Sequence, residues 1–236
     1  MKKCYFVFGF LLLTSTIFAQ GKLDEAFTKS GNSRQGYSAY LFTLHIDQAS
    51  GLTNLLRSND YPEMNQFGFE YGIQLGFGRQ YSKINGLVSL SYYSRATLES
   101  ATTNNSANFM GWRAGIGIEY KLFEKKFLFA RPHLMINYSN YNLTFIENNG
   151  NNTIDGLINS DFRELTFRSI QFPIQGGINI GTNINVGSSS FGIMLGAAYL
   201  LNWTNDNWTI GQGTVVDDNI NLSSPIFSVG IFTSMD

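Results

Sequence analysis

His45 and Asp47 are the first residues whose types and spacing could support catalysis. They lie two positions apart, so on a β-strand their side chains share one face. A histidine beside a carboxylate can act as a general base, and a lipid-modifying enzyme is one function that the pair could indicate. No serine can be assigned to the pair, and the sequence has only one other histidine, His133. We therefore expect no catalytic residue, no metal site and no cofactor.

Polar residues that alternate with apolar residues form a second and larger set. In residues 67–77 the odd positions are aromatic or aliphatic, and the even positions are glycine, Glu70 and Gln74. Residues 110–122 repeat the pattern, with Arg113 and Glu119 among the polar positions. Successive side chains of a strand point to opposite faces, so each segment predicts a strand with one apolar and one polar face.

Six further segments alternate less regularly, which makes eight predicted strands. They are residues 37–46, 88–92, 128–138, 170–180, 191–201 and 225–235. The connections between strands alternate between long and short, as in bacterial outer-membrane barrels with short periplasmic turns and long external loops. The predicted fold is all-β, an eight-stranded antiparallel up-and-down transmembrane β-barrel. The longest predicted external loops are Leu52–Gln66, Glu147–Asp161 and Trp203–Asn221.

Two prolines, Pro132 and Pro173, fall inside predicted strands. Proline removes one hydrogen bond from a β-ladder, and a closed barrel has no free edge where that loss is harmless. We expect a β-bulge at each proline, or a strand end above the bilayer at Pro132.

The N-terminal residues predict export. Lys2 and Lys3 precede an apolar run, and Ala19 ends a short polar stretch, which is the layout of a cleavable signal peptide. We expect a signal peptide at residues 1–19, a periplasmic segment at 20–36 and the barrel at 37–236. Cys4 would leave with the signal, so the mature chain would have no thiol. Loss of the two lysines leaves 14 basic residues against 17 acidic ones, which argues against nucleic-acid binding.

In a membrane the apolar face of each strand must point outward to lipid and the polar face inward. An eight-stranded barrel is just wide enough for side chains to fill its interior. We expect a buried network of salt bridges, with a selective polar pore or a ligand site as the alternative. The predicted members are Glu70, Gln74, Arg95, Arg113, Glu119, Lys121, Arg131 and His133.

The external loops are the remaining candidates for function. Trp203 and Trp208 lie in the last loop, where they could contact a partner, a glycan or a lipid headgroup, or could anchor the rim at the membrane interface. We expect a monomeric, non-enzymatic barrel that contacts outer-membrane lipid and an envelope or secretion-system protein or a surface molecule. The alternatives are the lipid-modifying enzyme and a soluble exported β-sandwich or lipocalin-like binding protein.

Three features together resemble a known family. They are the signal ending in Phe18-Ala19-Gln20, the alternating glycine and aromatic strands, and the segment Ser169-Ile170-Gln171-Phe172-Pro173-Ile174-Gln175-Gly176-Gly177. The chain resembles the outer-membrane β-barrel domain family common in Bacteroidetes, some members of which are named after PorT, a barrel associated with type IX secretion. The resemblance covers nearly the whole mature chain and implies an outer-membrane barrel without a catalytic residue.

Overall fold

A computed structural model provides the structure of the chain. It describes residues 34–46, 56, 61–79, 82–96, 105–125, 127–147, 163–186, 189–203, 208–210, 214–216 and 222–235. The predicted signal peptide and most of the predicted periplasmic segment lie outside these residues. Within the described part of the chain, no helix has the length and apolar character needed to cross a membrane.

Antiparallel strands make up the fold. In chain order they are β1 (Arg34–Ile46), β2 (Phe67–Arg79), β3 (Ile84–Ala96), β4 (Ser106–Tyr120), β5 (Phe123–Lys125), β6 (Leu128–Glu147), β7 (Arg163–Gln171), β8 (Ile174–Thr182), β9 (Ile184–Val186), β10 (Ser189–Leu201), β11 (Trp208–Ile210), β12 (Thr214–Val216) and β13 (Ser224–Met235). The long strands form an eight-stranded wall in which β7 and β8 together count as one strand. β1 begins at Arg34, a little before the predicted barrel start at residue 37.

The wall closes because β1 pairs with β13 as well as with β2. The stagger of the strands can be measured by starting at one residue and moving around the wall from each residue to its register partner on the next strand. From Tyr141 the partners are, in order, Gly111, Tyr93, Glu70, Thr43, Ser228, Gly196 and Asn179. Tyr141 also pairs with Ser169, which precedes Asn179 by ten residues on the same β7–β8 wall strand. The barrel therefore has a shear of ten residues, and its strands tilt by roughly 35–45°. The predicted eight-stranded barrel is confirmed.

The outer surface of the wall is apolar. Leu90, Ile116, Ile136 and Ile193 are each more than half exposed, although they lie in the middle of their strands. Exposed aromatic rings pair towards the end of the barrel that carries the long connections: Phe42 with Phe69 at 5.6 Å, Tyr71 with Tyr92 at 5.6 Å, and Trp112 with Tyr138 at 5.2 Å between ring centroids. An apolar belt edged by aromatic rings is typical of a surface in contact with lipid.

Part of the connection between residues 201 and 224 is strand. Trp208–Ile210 pairs with Ser169–Phe167 of β7 and with Thr214–Val216. Leu200 pairs with Ser224 in the wall, and Trp208, eight residues later, pairs with Val216, eight residues earlier. The register is therefore unchanged, and β11 and β12 continue the β10–β13 hairpin. The predicted external loop Trp203–Asn221 is thus wrong in part, because backbone pairing extends well beyond the barrel wall.

The two prolines differ in their effect on register. Glu119 pairs with His133, and Phe123 pairs with Ala130. The chain therefore advances four residues from Glu119 to Phe123 while β6 advances only three from Ala130 to His133. The extra residue is a bulge, and it lies in the segment opposite Pro132. At Pro173 the register against β6 is the same on both sides, so the bulge expected there is not found. The wall strand instead breaks between β7 and β8, and the Pro173 carbonyl still accepts a hydrogen bond from the Asn137 backbone N–H at 2.9 Å.

Candidate functional site

Three charged or ionisable residues from neighbouring strands meet inside the barrel; we call Glu70, His45 and Arg113 the upper cluster. Arg113 donates from one guanidinium nitrogen to both Glu70 carboxylate oxygens, at 2.7 and 2.9 Å. His45 Nε2 lies 2.5 Å from Glu70 Oε2. All three are at most 5% exposed. Inward positions on β1, β2 and β4 bring the residues together, and charge-assisted hydrogen bonds occupy the buried carboxylate.

A second group, the lower cluster, lies nearer the short connections. Its members are Glu119, Tyr37, Asn85, Arg131 and Glu124. Glu119 accepts hydrogen bonds from the Tyr37 hydroxyl at 2.6 Å, from Asn85 Nδ2 at 2.8 Å and from Arg131 at 3.4 Å. Arg131 also donates to Glu124 at 2.7 Å, and its guanidinium lies 4.9 Å from the ring centroid of Tyr37. Donors from β1, β3 and β6 thus compensate the charge of one fully buried carboxylate on β4, and Arg131 also serves Glu124 of β5.

Of the other residues predicted for the interior network, Gln74, Arg95 and His133 are buried and Lys121 is partly buried, and they make different contacts. Gln74 donates to the Tyr37 hydroxyl at 2.9 Å and so belongs beside the lower cluster. His133 lies 3.3 Å from Gln175 Nε2, and Arg95 Nε donates to the backbone carbonyl of Asn65. Lys121 lies 3.9 Å from Glu124. The predicted set is therefore two charged clusters with separate polar pairs, rather than one continuous network.

Several members of these clusters were not in the predicted network, and each could have been found. Tyr37 and Asn85 occupy the inward parity of their strands, and Glu124 precedes a strand that carries Arg131. His45, which the sequence offers as a catalytic candidate, is instead a member of the interior. Parity along each strand is the signal in the sequence that places these side chains inward, and it holds for tyrosine and asparagine as it does for charged residues.

Apolar side chains close the interior at both ends. Towards the long connections lies a cluster of Leu56, Met64, Tyr93, Ala107, Phe109, Tyr141, Leu143, Phe145, Trp208 and Leu222, which we call the long-loop apolar cluster. Towards the short connections lies a cluster of Tyr37, Ala39, Leu87, Phe129, Met135, Met194 and Phe232, the short-turn apolar cluster. The polar residues therefore lie between two apolar layers.

A cavity of about 40 Å³ remains within the polar layer. Its lining includes Glu70, Arg113, Gln74, His133 and Asn179. Roughly three water molecules fit in this volume, whereas sites for organic ligands usually measure several hundred Å³. The cavity is therefore of a size for solvent between buried polar groups.

Two glycines make room for the tyrosines of the interior. A Cβ atom added at Gly76 would collide with the ring of Tyr37, and one added at Gly68 would collide with the ring of Tyr93. Tyr93 in turn packs edge-on against His45, with 4.9 Å between ring centroids. Glycine at these two positions lets each ring lie flat against the neighbouring strand, next to the cluster that it supports.

The proposed His45 and Asp47 pair does not form a reactive rim site in the described part of the chain. His45 is 1% exposed and faces Glu70 in the interior, and Asp47 lies outside the described residues. Among the described residues, no group of three or more His, Cys, Asp or Glu side chains could hold a metal ion.

The two tryptophans predicted as loop contacts lie on opposite sides of the wall. Trp203 is 64% exposed, and its indole N–H donates to the Phe172 carbonyl at 2.7 Å. Trp208 is 1% exposed and packs against Phe109 at 6.1 Å between ring centroids. The prediction for Trp208 therefore needs correction: this ring helps to seal the interior and offers no surface to a partner.

Closure of the wall, an apolar exterior and a polar interior together define a class of protein. In hydrocarbon every backbone N–H and C=O needs a partner within the protein, and a closed barrel meets this condition. The chain is an integral β-barrel protein of the bacterial outer membrane.

Comparisons with known proteins give similarities at low sequence identity. No protein-family model matches the chain. No curated protein matches it either. Among solved structures it is similar to Ail, the attachment invasion locus protein of Yersinia pestis, with 9% identity and a TM-score of 0.45 over 86% of this chain and 99% of Ail. It is similar to a major outer membrane protein of Thermus thermophilus, with 11% identity and a TM-score of 0.47 over 85% and 98% of the two chains. Neisserial surface protein A gives 12% identity and a TM-score of 0.34 over 86% and 98%.

Proposed function

We propose that this protein is a non-enzymatic outer-membrane barrel that acts through its outer end, where it binds an envelope protein or a surface molecule. A role as an accessory of a secretion or envelope system fits this proposal. The resemblance to the Bacteroidetes barrel family, with its link to type IX secretion, remains a prediction.

The closed interior is the observation that carries the proposal. Glu70 and Glu119 are each occupied by cationic or hydroxyl partners, and apolar clusters lie above and below them. Among the described residues the polar layer has no continuous polar connection to both ends of the barrel, and a buried, occupied carboxylate is not available as a catalytic base. Function is then left to the surfaces outside the membrane.

The outer end offers a structured surface for binding. β6 and β7 extend past the aromatic rings, and β11 and β12 add to the edge of β7. Exposed residues on this extension include Glu164, Thr166 and Arg168. A rigid scaffold that presents polar residues is well suited to recognition because little ordering is needed on binding.

Site-specific photo-cross-linking in intact cells tests the proposal. A photoreactive amino acid at Thr166 or Arg168 should give discrete adducts of defined mass, identified by mass spectrometry. The matched control places the same amino acid at Ile116 or Ile193, in the apolar belt, where only lipid adducts are expected. Absence of an adduct at both outer positions, or the same adducts at the belt positions, would contradict the proposal.

Two further measurements separate this proposal from its rivals. Planar-bilayer recordings of the wild-type protein should show no conductance above background, and stable channels would favour a pore. His45→Ala should leave the acylation pattern of the outer-membrane lipid unchanged in whole-cell mass spectra. A changed pattern, with the barrel still folded by heat-modifiable gel migration, would favour the lipid-modifying enzyme.

A further inference from the structure

Basic residues are placed just below the apolar belt at the short-turn end. Arg79 ends β2, Lys83 lies in the following turn and Lys125 ends β5, and all three are exposed. We call these residues the short-turn rim. We propose that the short-turn rim binds the anionic headgroups of phospholipids in the periplasmic leaflet.

Two of the cations follow an exposed aromatic ring on the same face of the same strand. Arg79 is two residues beyond Phe77, and Lys125 is two residues beyond Phe123. Phe77 is 53% exposed and Phe123 is 39% exposed, so both rings lie on the lipid side of the wall. Residues two apart on a strand are about 7 Å apart. Each cation therefore follows the interfacial ring at the depth expected for lipid phosphates.

The third cation is tied to the same part of the rim. The Lys83 carbonyl accepts a hydrogen bond from the Lys121 backbone N–H at 2.7 Å, which joins the β2–β3 turn to the β4–β5 connection. Lys125 Nζ lies 5.3 Å from the centroid of the Phe123 ring, so its charge stays close to the apolar belt. The side chains thus form one basic region across two neighbouring turns.

The carboxylate within this region is directed inward. Glu124 alternates with Phe123 and Lys125, and it pairs with Arg131 at 2.7 Å and with Lys121 at 3.9 Å. Those two cations are largely buried at the mouth of the barrel. Glu124 is thus already occupied, and the outward side of the rim keeps a positive charge that an anionic surface would complement.

The other edge of the belt has a different composition. At the long-loop end, the residues that follow the outward aromatic rings include Asn108 beyond Trp112, and Asn140 and Asn142 beyond Tyr138. These amides carry no net charge. The exposed charges of β7 at this end, Glu164 and Arg168, are of opposite sign. The described residues of this edge therefore lack the uniform positive charge of the short-turn rim, and this difference favours anionic headgroups at the short-turn side of the membrane.

Electron spin resonance with spin-labelled lipids tests the proposal on the full-length protein in phosphatidylcholine vesicles. Spin-labelled phosphatidylglycerol should associate with wild-type protein about two- to threefold more strongly than spin-labelled phosphatidylcholine. High salt should weaken this preference because the interaction is electrostatic. The triple variant Arg79→Gln, Lys83→Gln and Lys125→Gln should bring the ratio to about one.

Arg168→Gln is the matched control, because Arg168 is an exposed cation at the opposite end of the barrel. It should keep the wild-type ratio, and heat-modifiable migration should show that all variants are folded. A wild-type ratio near one would overturn the proposal. A ratio unaltered in the triple variant, or lowered equally by Arg168→Gln, would also overturn it.

Discussion

The upper and lower clusters each compensate a buried carboxylate, but they do so with different sets of partners. Each holds one deeply buried glutamate inside a barrel, Glu70 in the upper cluster and Glu119 in the lower. Glu70 depends on Arg113 and His45, both almost completely enclosed. Glu119 accepts hydrogen bonds from three described partners, Tyr37, Asn85 and Arg131. Arg131 also pairs with Glu124, whose side chain is 32% exposed.

The two clusters differ in how many partners compensate the buried glutamate. A compact cluster in a low-dielectric interior loses most of its compensation when one member is removed, and the partner is left as an unpaired buried charge. A distributed cluster near the rim keeps several hydrogen bonds after any single loss, and water can reach its edge. The upper cluster should therefore be sensitive to substitution and the lower cluster tolerant.

Glu70→Gln should have the largest effect. It leaves Arg113 buried without a carboxylate, so we expect the free energy of unfolding to fall by about 3–5 kcal/mol. Urea titration of the protein in lipid vesicles measures the change. The double variant Glu70→Leu with Arg113→Met should recover most of the loss, because it removes both charges. A loss below 1 kcal/mol for Glu70→Gln would contradict the assignment of the upper cluster as sensitive.

Gly76→Ala should rank second. The added Cβ would collide with the Tyr37 ring, which supports the lower cluster, so we expect a loss of about 1–3 kcal/mol in the same titration. Gly176→Ala is the control, because a Cβ there would meet Leu134 at 3.8 Å, an ordinary contact. Equal losses for the two glycines would show that backbone effects, and not the tyrosine ring, decide the result.

Tyr37→Phe removes a single hydroxyl from the lower cluster. Glu119 would lose one hydrogen bond and keep those from Asn85 and Arg131, so we expect a loss of about 1–2 kcal/mol. Comparison of Tyr37→Phe with Glu70→Gln measures redundancy directly. If the hydroxyl were worth as much as the Glu70 charge, the contrast between the clusters would not hold.

Glu124→Gln should have the smallest effect. Its side chain is partly exposed, and exposed ion pairs contribute about 0–1 kcal/mol. The unfolding midpoint should shift little, and the shift should shrink further in high salt. A loss above 2 kcal/mol would place Glu124 among the residues that Arg131 requires, and would make the lower cluster as sensitive as the upper one.

The fold was accessible from the sequence because period-two alternation is a local signal. Residues 67–77 and 110–122 show it without interruption; the first segment lies within β2, and the second lies within β4 up to Tyr120. β6 ends at Glu147, where the predicted external loop begins, but its outer half, from Ser139 onward, carries inward apolar residues and outward Asn140 and Asn142. In this outer part of the strand the inward face is apolar and the outward face is polar, which is the reverse of the alternation in the lipid-facing part.

The details of the interior were less accessible because they depend on register. Parity along a strand predicts that Glu70 and Arg113 point inward, but not that they meet across the intervening β3. The burial of Trp208 depends on the β7–β11 pairing, and a short strand after a six-residue gap gives little sequence signal. Contacts between distant segments therefore had to come from the structure.

Pairing of β1 with β13 has a consequence for biogenesis. These strands stand at opposite ends of the described chain, and ten register pairs join them. Until Ser224–Met235 has crossed the inner membrane, β1 has an unsatisfied backbone edge that hydrocarbon cannot tolerate. Closure of the wall in hydrocarbon therefore depends on the last strand of the described chain, and the eight strands must be present together before the barrel is complete.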